Sequence, residues 1–137
     1  VNQDNDEANV IIGTNGRDNL VGTGGADIII GLRNRDTLTG GGGPDQFVYE
    51  NLTDGGDIIT DFEVGIDKIV LTDVLAAIGY SGGDPLADGI VTFLSSRGDT
   101  LLLIDPDGSA GGARARSFIL VQGVSNSDLN RPLNFVF

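Results

Sequence analysis

From residue 13 to residue 48 the chain can be written in nines: GTNGRDNLV, GTGGADIII, GLRNRDTLT, GGGGPDQFV. The first place is always glycine (Gly13, Gly22, Gly31, Gly40), and the sixth is always aspartate (Asp18, Asp27, Asp36, Asp45). The eighth is always large and apolar: Leu20, Ile29, Leu38, Phe47. The fourth is Gly16, Gly25, Asn34 and Gly43. A flexible acidic linker has no need of the apolar column. The glycines suit a tight turn, because positive φ and close backbone approach exclude a Cβ. Asn34 is the substitute that best tolerates the left-handed region. The last three residues of each nine suit a short strand whose eighth side chain points inward.

These four columns resemble the glycine- and aspartate-rich nonapeptide of RTX proteins, a calcium-binding parallel β-roll. The resemblance implies that two nines make one coil, so that repeat n stacks on repeat n+2. Asp18 then lies over Asp36, and Asp27 over Asp45. Stacked strands are about 4.8 Å apart. Two carboxylates at that spacing repel by about 3 kcal/mol at an effective dielectric of 20, so the columns call for a cation. Calcium, a hard ion taking six to eight oxygens, fits. With no His and no Cys in the chain, zinc and copper chemistry is disfavoured.

By the same resemblance, one ion is expected among Thr14, Gly16, Asp18, Gly31, Arg33 and Asp36. A second is expected among Thr23, Gly25, Asp27, Gly40, Gly42 and Asp45. Counting nine from Asp45 reaches Asp54, which would close a site with Asp36, Leu32 and Asn34. Counting nine back from Asp18 reaches Asn9, a neutral ligand that would make a weak site with Asp27. The stretch 57–72, DIITDFEVGIDKIVLT, is similar to the segment after the repeats in serralysin-type secreted proteases. It implies that Asp57 and Asp67 bind a closing ion with Asp45 and the carbonyls of Gly41 and Gly43, and it leaves Asp61 out. Roughly two to five ions are expected in all.

The net charge is −12, unevenly spread. Residues 1–67 carry 13 acidic and 3 basic side chains, net −10, and residues 68–137 carry 7 and 5, net −2. The negative charge therefore sits where dications are expected. No basic patch favours nucleic acid, and no run is long enough to span a membrane.

Three regions are expected: a polar lead-in over 1–8, the calcium-binding roll over 9–56, and a β-rich cap over 57–137. In the cap, 57–72 reads as two strands and 73–79 as a short helix capped by Asp73 and ended by Gly79. Residues 90–97 and 100–105 read as strands joined at Gly98-Asp99. Residues 105–108 read as a β-turn, since the glutamate that an EF-hand needs is replaced by Arg116. A strand over 114–122, a helical turn over 125–130 and a last strand in NFVF complete it. The fold class is all-β: a short parallel β-roll continuing into a β-sandwich-like cap with one short helix.

Ser-His, Cys-His and His-zinc chemistry are excluded by composition, and each close carboxylate pair belongs to the calcium register. The chain is expected to be non-catalytic, any enzymatic domain lying upstream. Its end loosely resembles the C-terminal target domain of type I secretion substrates, which implies type I secretion machinery as a partner and a secreted, extracellular bacterial location. The alternative is a module binding polysaccharide or a cell surface, similar to the R-modules of alginate-modifying epimerases or the end of an adhesin. For that reading Arg17, Arg33 and Arg35, at outward-facing turn positions, would form the basic stripe.

Overall fold

The computed structural model describes residues 9–108 and 114–137; the expected lead-in over 1–8 lies outside them. Each nine delivers one three-residue strand: β1 (Val10–Ile12), β2 (Asn19–Val21), β3 (Ile28–Ile30), β4 (Thr37–Thr39) and β5 (Gln46–Val48). Odd strands stack in one parallel sheet and even strands in the other. Ile11 pairs with Ile29 and Ile29 with Phe47, while Leu20 pairs with Leu38. Partners are eighteen residues apart, which places the eighth-column residues on two inward ladders, one in each sheet.

Both sheets continue past residue 56. β6 (Asp57–Ile59) pairs with β4, setting Leu38 beside Ile59, and β7 (Lys68–Val70) pairs with β5, setting Phe47 beside Ile69. The next strand on each side arrives from far along the chain. β10 (Arg116–Val121) joins β6 in parallel, and β11 (Phe135–Val136) joins β7. β8 (Val91–Ser96) and β9 (Asp99–Ile104) extend the even sheet as an antiparallel hairpin. The architecture is therefore two facing sheets, ordered β1-β3-β5-β7-β11 and β2-β4-β6-β10-β9-β8. The hairpin turns on Arg97 (φ 51°) and Gly98 (φ 87°), so Asp99 opens β9 rather than completing the turn. Consecutive positive φ is what a two-residue hairpin requires.

The two expected helical segments both form: α1 (Thr72–Ala77), and α2 (Asn126–Leu129) at the helical turn expected over 125–130. Asp73 lies inside the first turn of α1 rather than at its cap, where its charge still favours the helix N-terminus. Ser125 caps α2 by accepting from the Asp128 amide. Residues 105–108 form the expected turn, with the Gly108 amide on the Asp105 carbonyl. No helix among the described residues is long and apolar enough to cross a membrane.

The core deepens from the first coil towards the cap. Ile11 and Leu20 are partly buried, whereas Ile29, Leu38, Phe47, Ile59 and Ile69 are essentially inaccessible. Beyond them lie Leu102, Ile104, Phe118, Ile119 and Val121, with Val74 and Leu75 of α1 and Leu129 of α2. Tyr49 packs on Phe118 at 5.1 Å between ring centroids, and Phe47 on Phe62 at 6.2 Å. Burying aromatic surface of this kind stabilises a fold in which single coils are too thin to hold a core. A buried Asn134 ties the chain's end to the loop before β7: its Oδ1 accepts from the Gly65 amide, and its Nδ2 donates to the carbonyls of Asp128 and Leu129.

Candidate metal centre

Because the strands stack in register, the residue just before each strand stacks as well. That residue is the sixth-place aspartate, and the result is two columns of acids. One column runs Asp18, Asp36, Asp57, and the other runs Asn9, Asp27, Asp45, Asp67. Within each column a carboxylate oxygen accepts from the amide of the acid above it. Asp36 Oδ1 takes the Asp18 amide at 2.8 Å, Asp57 Oδ1 the Asp36 amide at 2.8 Å, Asp45 Oδ1 the Asp27 amide at 3.0 Å, and Asp67 Oδ1 the Asp45 amide at 2.9 Å. Asn9 Nδ2 donates to Asp27 Oδ1 at 3.3 Å. Asp57 thus stands beside Asp36, in the column opposite the Asp45 and Asp67 with which the sequence grouped it.

Five of these acids are inaccessible or nearly so, Asp27, Asp36, Asp45, Asp57 and Asp67, and so is Asp54 outside the columns. Asp36 Oδ2, Asp45 Oδ2 and Asp57 Oδ2 are buried without a hydrogen-bond partner. Burial pushes the carboxyls of Asp45 and Asp57 up to about 7, against the pull of the amides they accept from, and neighbouring acids push the same way. Asp36 and Asp67 are raised for the same first reason. A buried, unpaired carboxylate is costly unless a counter-charge reaches it.

The turns supply further oxygens. A methyl placed on Gly13 would lie 2.6 Å from Asp18 Oδ2 and 2.8 Å from the Gly31 carbonyl. At Gly22 the same position is contested by Asp27 Oδ2 and the Gly40 carbonyl. The Thr23 carbonyl crowds the bare face of Gly41, and the Gly25 carbonyl stands 2.6 Å from the equivalent point on Gly43. Glycine is required here because carboxylate and carbonyl oxygens converge where a side chain would begin. Among the described residues no three acidic side chains cluster tightly enough to hold a metal by themselves, so a hard cation would draw on two carboxylates plus these carbonyls. An all-oxygen donor set of this kind fits calcium. When bound, the ion supplies the positive charge that lets stacked carboxylates ionise together.

The remaining predicted residues divide. Thr14 and Thr23 use amide and hydroxyl to hold the aspartate of their own repeat, and each hydroxyl also accepts from Gly16 or Gly25. Leu32 and Asn34 both have left-handed backbone, at φ 70° and 75°, and Asn34 Nδ2 bonds the Asn15 carbonyl. Arg33 and Gly42 lie exposed on the turns. Asp54 is out of the ladder: its Oδ2 accepts from the amides of Glu50 and Asn51 and closes the 3₁₀ turn Leu52–Asp54. Asp61 instead anchors a turn, its two oxygens accepting from Gly40 and Gly41 at 2.8 Å each. No spacing rule pointed to that role; its place two residues after a strand was the only signal.

Fold and site together define a calcium-type parallel β-roll. Residues 5–47 match the family model of the RTX calcium-binding nonapeptide repeat, in four copies, so the roll of this chain is an RTX β-roll. A similar solved structure is the solution structure of the AlgE6R3 subunit from the Azotobacter vinelandii mannuronan C5-epimerase. It is 26% identical, superimposes with a TM-score of 0.52, and the match covers 98% of this chain and 80% of that one. No match is found among curated proteins.

Proposed function

We propose that this chain is a non-catalytic, calcium-folded module of a larger secreted protein. Its ions would be held by Asp18, Asp27, Asp36, Asp45, Asp57 and Asp67 with the turn carbonyls. The observation that carries this reading is the set of buried, unpartnered carboxylate oxygens at Asp36, Asp45 and Asp57. Metal affinity then becomes folding free energy. Extracellular modules bind calcium at roughly 10⁻⁴ to 10⁻³ M, so the roll stays open inside a cell and closes outside it. We assign the type I export signal to the chain's end. The test is a passenger fusion expressed with a type I exporter, comparing the full chain with one lacking residues 132–137. A deletion from Ser117 would also remove β10 from within a sheet, so the short truncation is the cleaner comparison. Export of the truncated fusion at the full rate would sink the signal assignment.

A second reading rests on a separate observation. Exposed Arg17, Arg33 and Arg35 line one open groove of roughly 610 Å³, together with Thr53 and Gly55. Three guanidiniums on one groove suit a polymer of sugar carboxylates, and the likeness to an epimerase subunit points the same way. Calorimetry against an oligouronate and a neutral glycan tests it. Binding of both alike, or unaltered binding by Arg33→Ala and Arg35→Ala, would remove this reading.

A further inference from the structure

The outer face of the even sheet carries an aliphatic row. Ile58 of β6 pairs with Leu120 of β10, Leu120 with Leu101 of β9, and Leu101 with Leu94 of β8. Their neighbours along the strands, Ile59, Ile119, Val121 and Leu102, are buried in the core, so alternation turns the row outward. Ile58, Leu101 and Leu120 are partly buried and Leu94 is 55% exposed. At about 4.8 Å per strand the row is about 14 Å across. Beside it the sheet is indented. The register of β10 on β9 slips between Ser117 and Ile119, and Phe118 and Ile119 are both buried although adjacent. This bulge leaves no outward side chain between Ser117 and Leu120. Bulges re-aim side chains in this way beside functional sites. The strand alongside begins after Gly56, whose bare face meets nothing within 4 Å. The result is a hollow of about 280 Å³ lined by Ile58, Leu101, Ser117 and Leu120, close to the lower end of small-molecule sites at roughly 300 Å³. Its one acid, Asp57, is buried and accepts from the Asp36 amide. Arg35 and Gly56 line both this hollow and the arginine groove, so the two meet there. No acid lines the groove, although the net charge is −12 and three of the chain's eight cations are in it.

We propose that this face binds a single-chain anionic amphiphile, a fatty carboxylate, with its head on Arg35 and its acyl chain in the hollow along Ile58, Leu120 and Leu101. A guanidinium forks onto a carboxylate, and each methylene laid on the row leaves water. A uronate in the arginine groove would fill the charged half alone, having no acyl chain for the hollow. The inference takes the chain folded in calcium and does not require uronate binding.

The test is calorimetry of the full chain in calcium with butyrate, hexanoate, octanoate and, as the uncharged control, octanol. Affinity should rise by about two- to fourfold per methylene from butyrate to octanoate, and octanol should bind more weakly than octanoate. Ser117 is exposed at the rim of the hollow, so Ser117→Trp should fill it and remove the dependence on chain length. The same variant should bind an oligouronate as its parent does, which separates failure here from failure of the uronate reading. Arg35→Ala should weaken all three carboxylates by about tenfold and keep their order. Both variants should keep the far-ultraviolet response to calcium. Equal affinity for butyrate and octanoate, octanol binding as tightly as octanoate, or octanoate binding unchanged in Ser117→Trp overturns the inference. Adsorption to anionic vesicles without binding of free octanoate would make the face a membrane contact and overturn it as well.

Discussion

The first coil and the second follow the same nine-residue pattern yet hold their aspartates differently. In the first coil the second turn position is threonine, and Thr14 and Thr23 satisfy both Asp18 and Asp27 from within the turn. In the second coil that position is Leu32 or Gly41, with left-handed backbone and no hydroxyl to offer, and Asp36 Oδ2 and Asp45 Oδ2 have no partner. One side chain per repeat therefore decides whether the aspartate depends on something outside its own turn. The second coil is where counter-charge matters most, and it is also the coil on which the cap is built.

Metal removal should have the largest effect. In chelator at neutral pH the roll should lose its β content, which circular dichroism would record, because charged, buried carboxylates and glycine-rich turns both oppose folding. Acid should partly replace the metal. Asp45 and Asp57 have folded values near 7, above the ordinary carboxylate value, so the folded state binds protons more tightly than the unfolded chain does. Their contribution to metal-free stability is complete below about pH 4 and is lost as pH rises through about 7. Identical β content with chelator and with millimolar calcium at pH 7.5 would contradict this account.

Next in size are single ligands. Asp36→Ala and Asp27→Ala should each raise the calcium midpoint by at least about tenfold, equivalent to about 1.4 kcal/mol, and each should exceed Asn9→Ala. Asp36 should be the worse of the two if the contrast between coils holds, and equal midpoints would erase that contrast. Leu32→Gly should act in the opposite direction. A leucine at φ 70° costs roughly 1–2 kcal/mol against glycine, offset in part by glycine's greater unfolded-state freedom. A net rise in melting temperature in calcium is expected, and a fall would mean that the leucine side chain contributes more by packing than its backbone costs. Asp107→Ala, in the turn at 105–108, should leave calcium affinity unchanged. A lost ion there would show that the turn binds metal.

The fold was legible wherever one column of residue types repeated at a fixed interval. Beyond Val48 the interval fails. Eighteen residues from Asp36 is Asp54, but the 3₁₀ turn Leu52–Asp54 adds three residues, and Asp57 takes the ladder place. The corresponding step from Asp45 to Asp67 is twenty-two residues. Counting therefore gave the right kind of residue and the wrong neighbour. The clip made by Asn134 and the docking of Tyr49 on Phe118 leave no periodic trace. Their partners lie 69 residues away in the first case and in a different strand of the cap in the second, and only tertiary packing brings them together.

The two ends of the stacked sheets are unlike. One is sealed by β8–β11, while at the other, among the described residues, β1 and β2 carry Val10, Ile12 and Val21 about 60% exposed. A stack in which each coil touches only its neighbours behaves as a one-dimensional array. Its order therefore has a direction: the sealed end acts as the seed, and each coil is templated by the one nearer the cap. Amide hydrogen exchange should show protection falling in steps from β6 and β7 out to β1 and β2, like a zip that opens from one side only. Uniform protection along the stack would instead mean that the coils melt together.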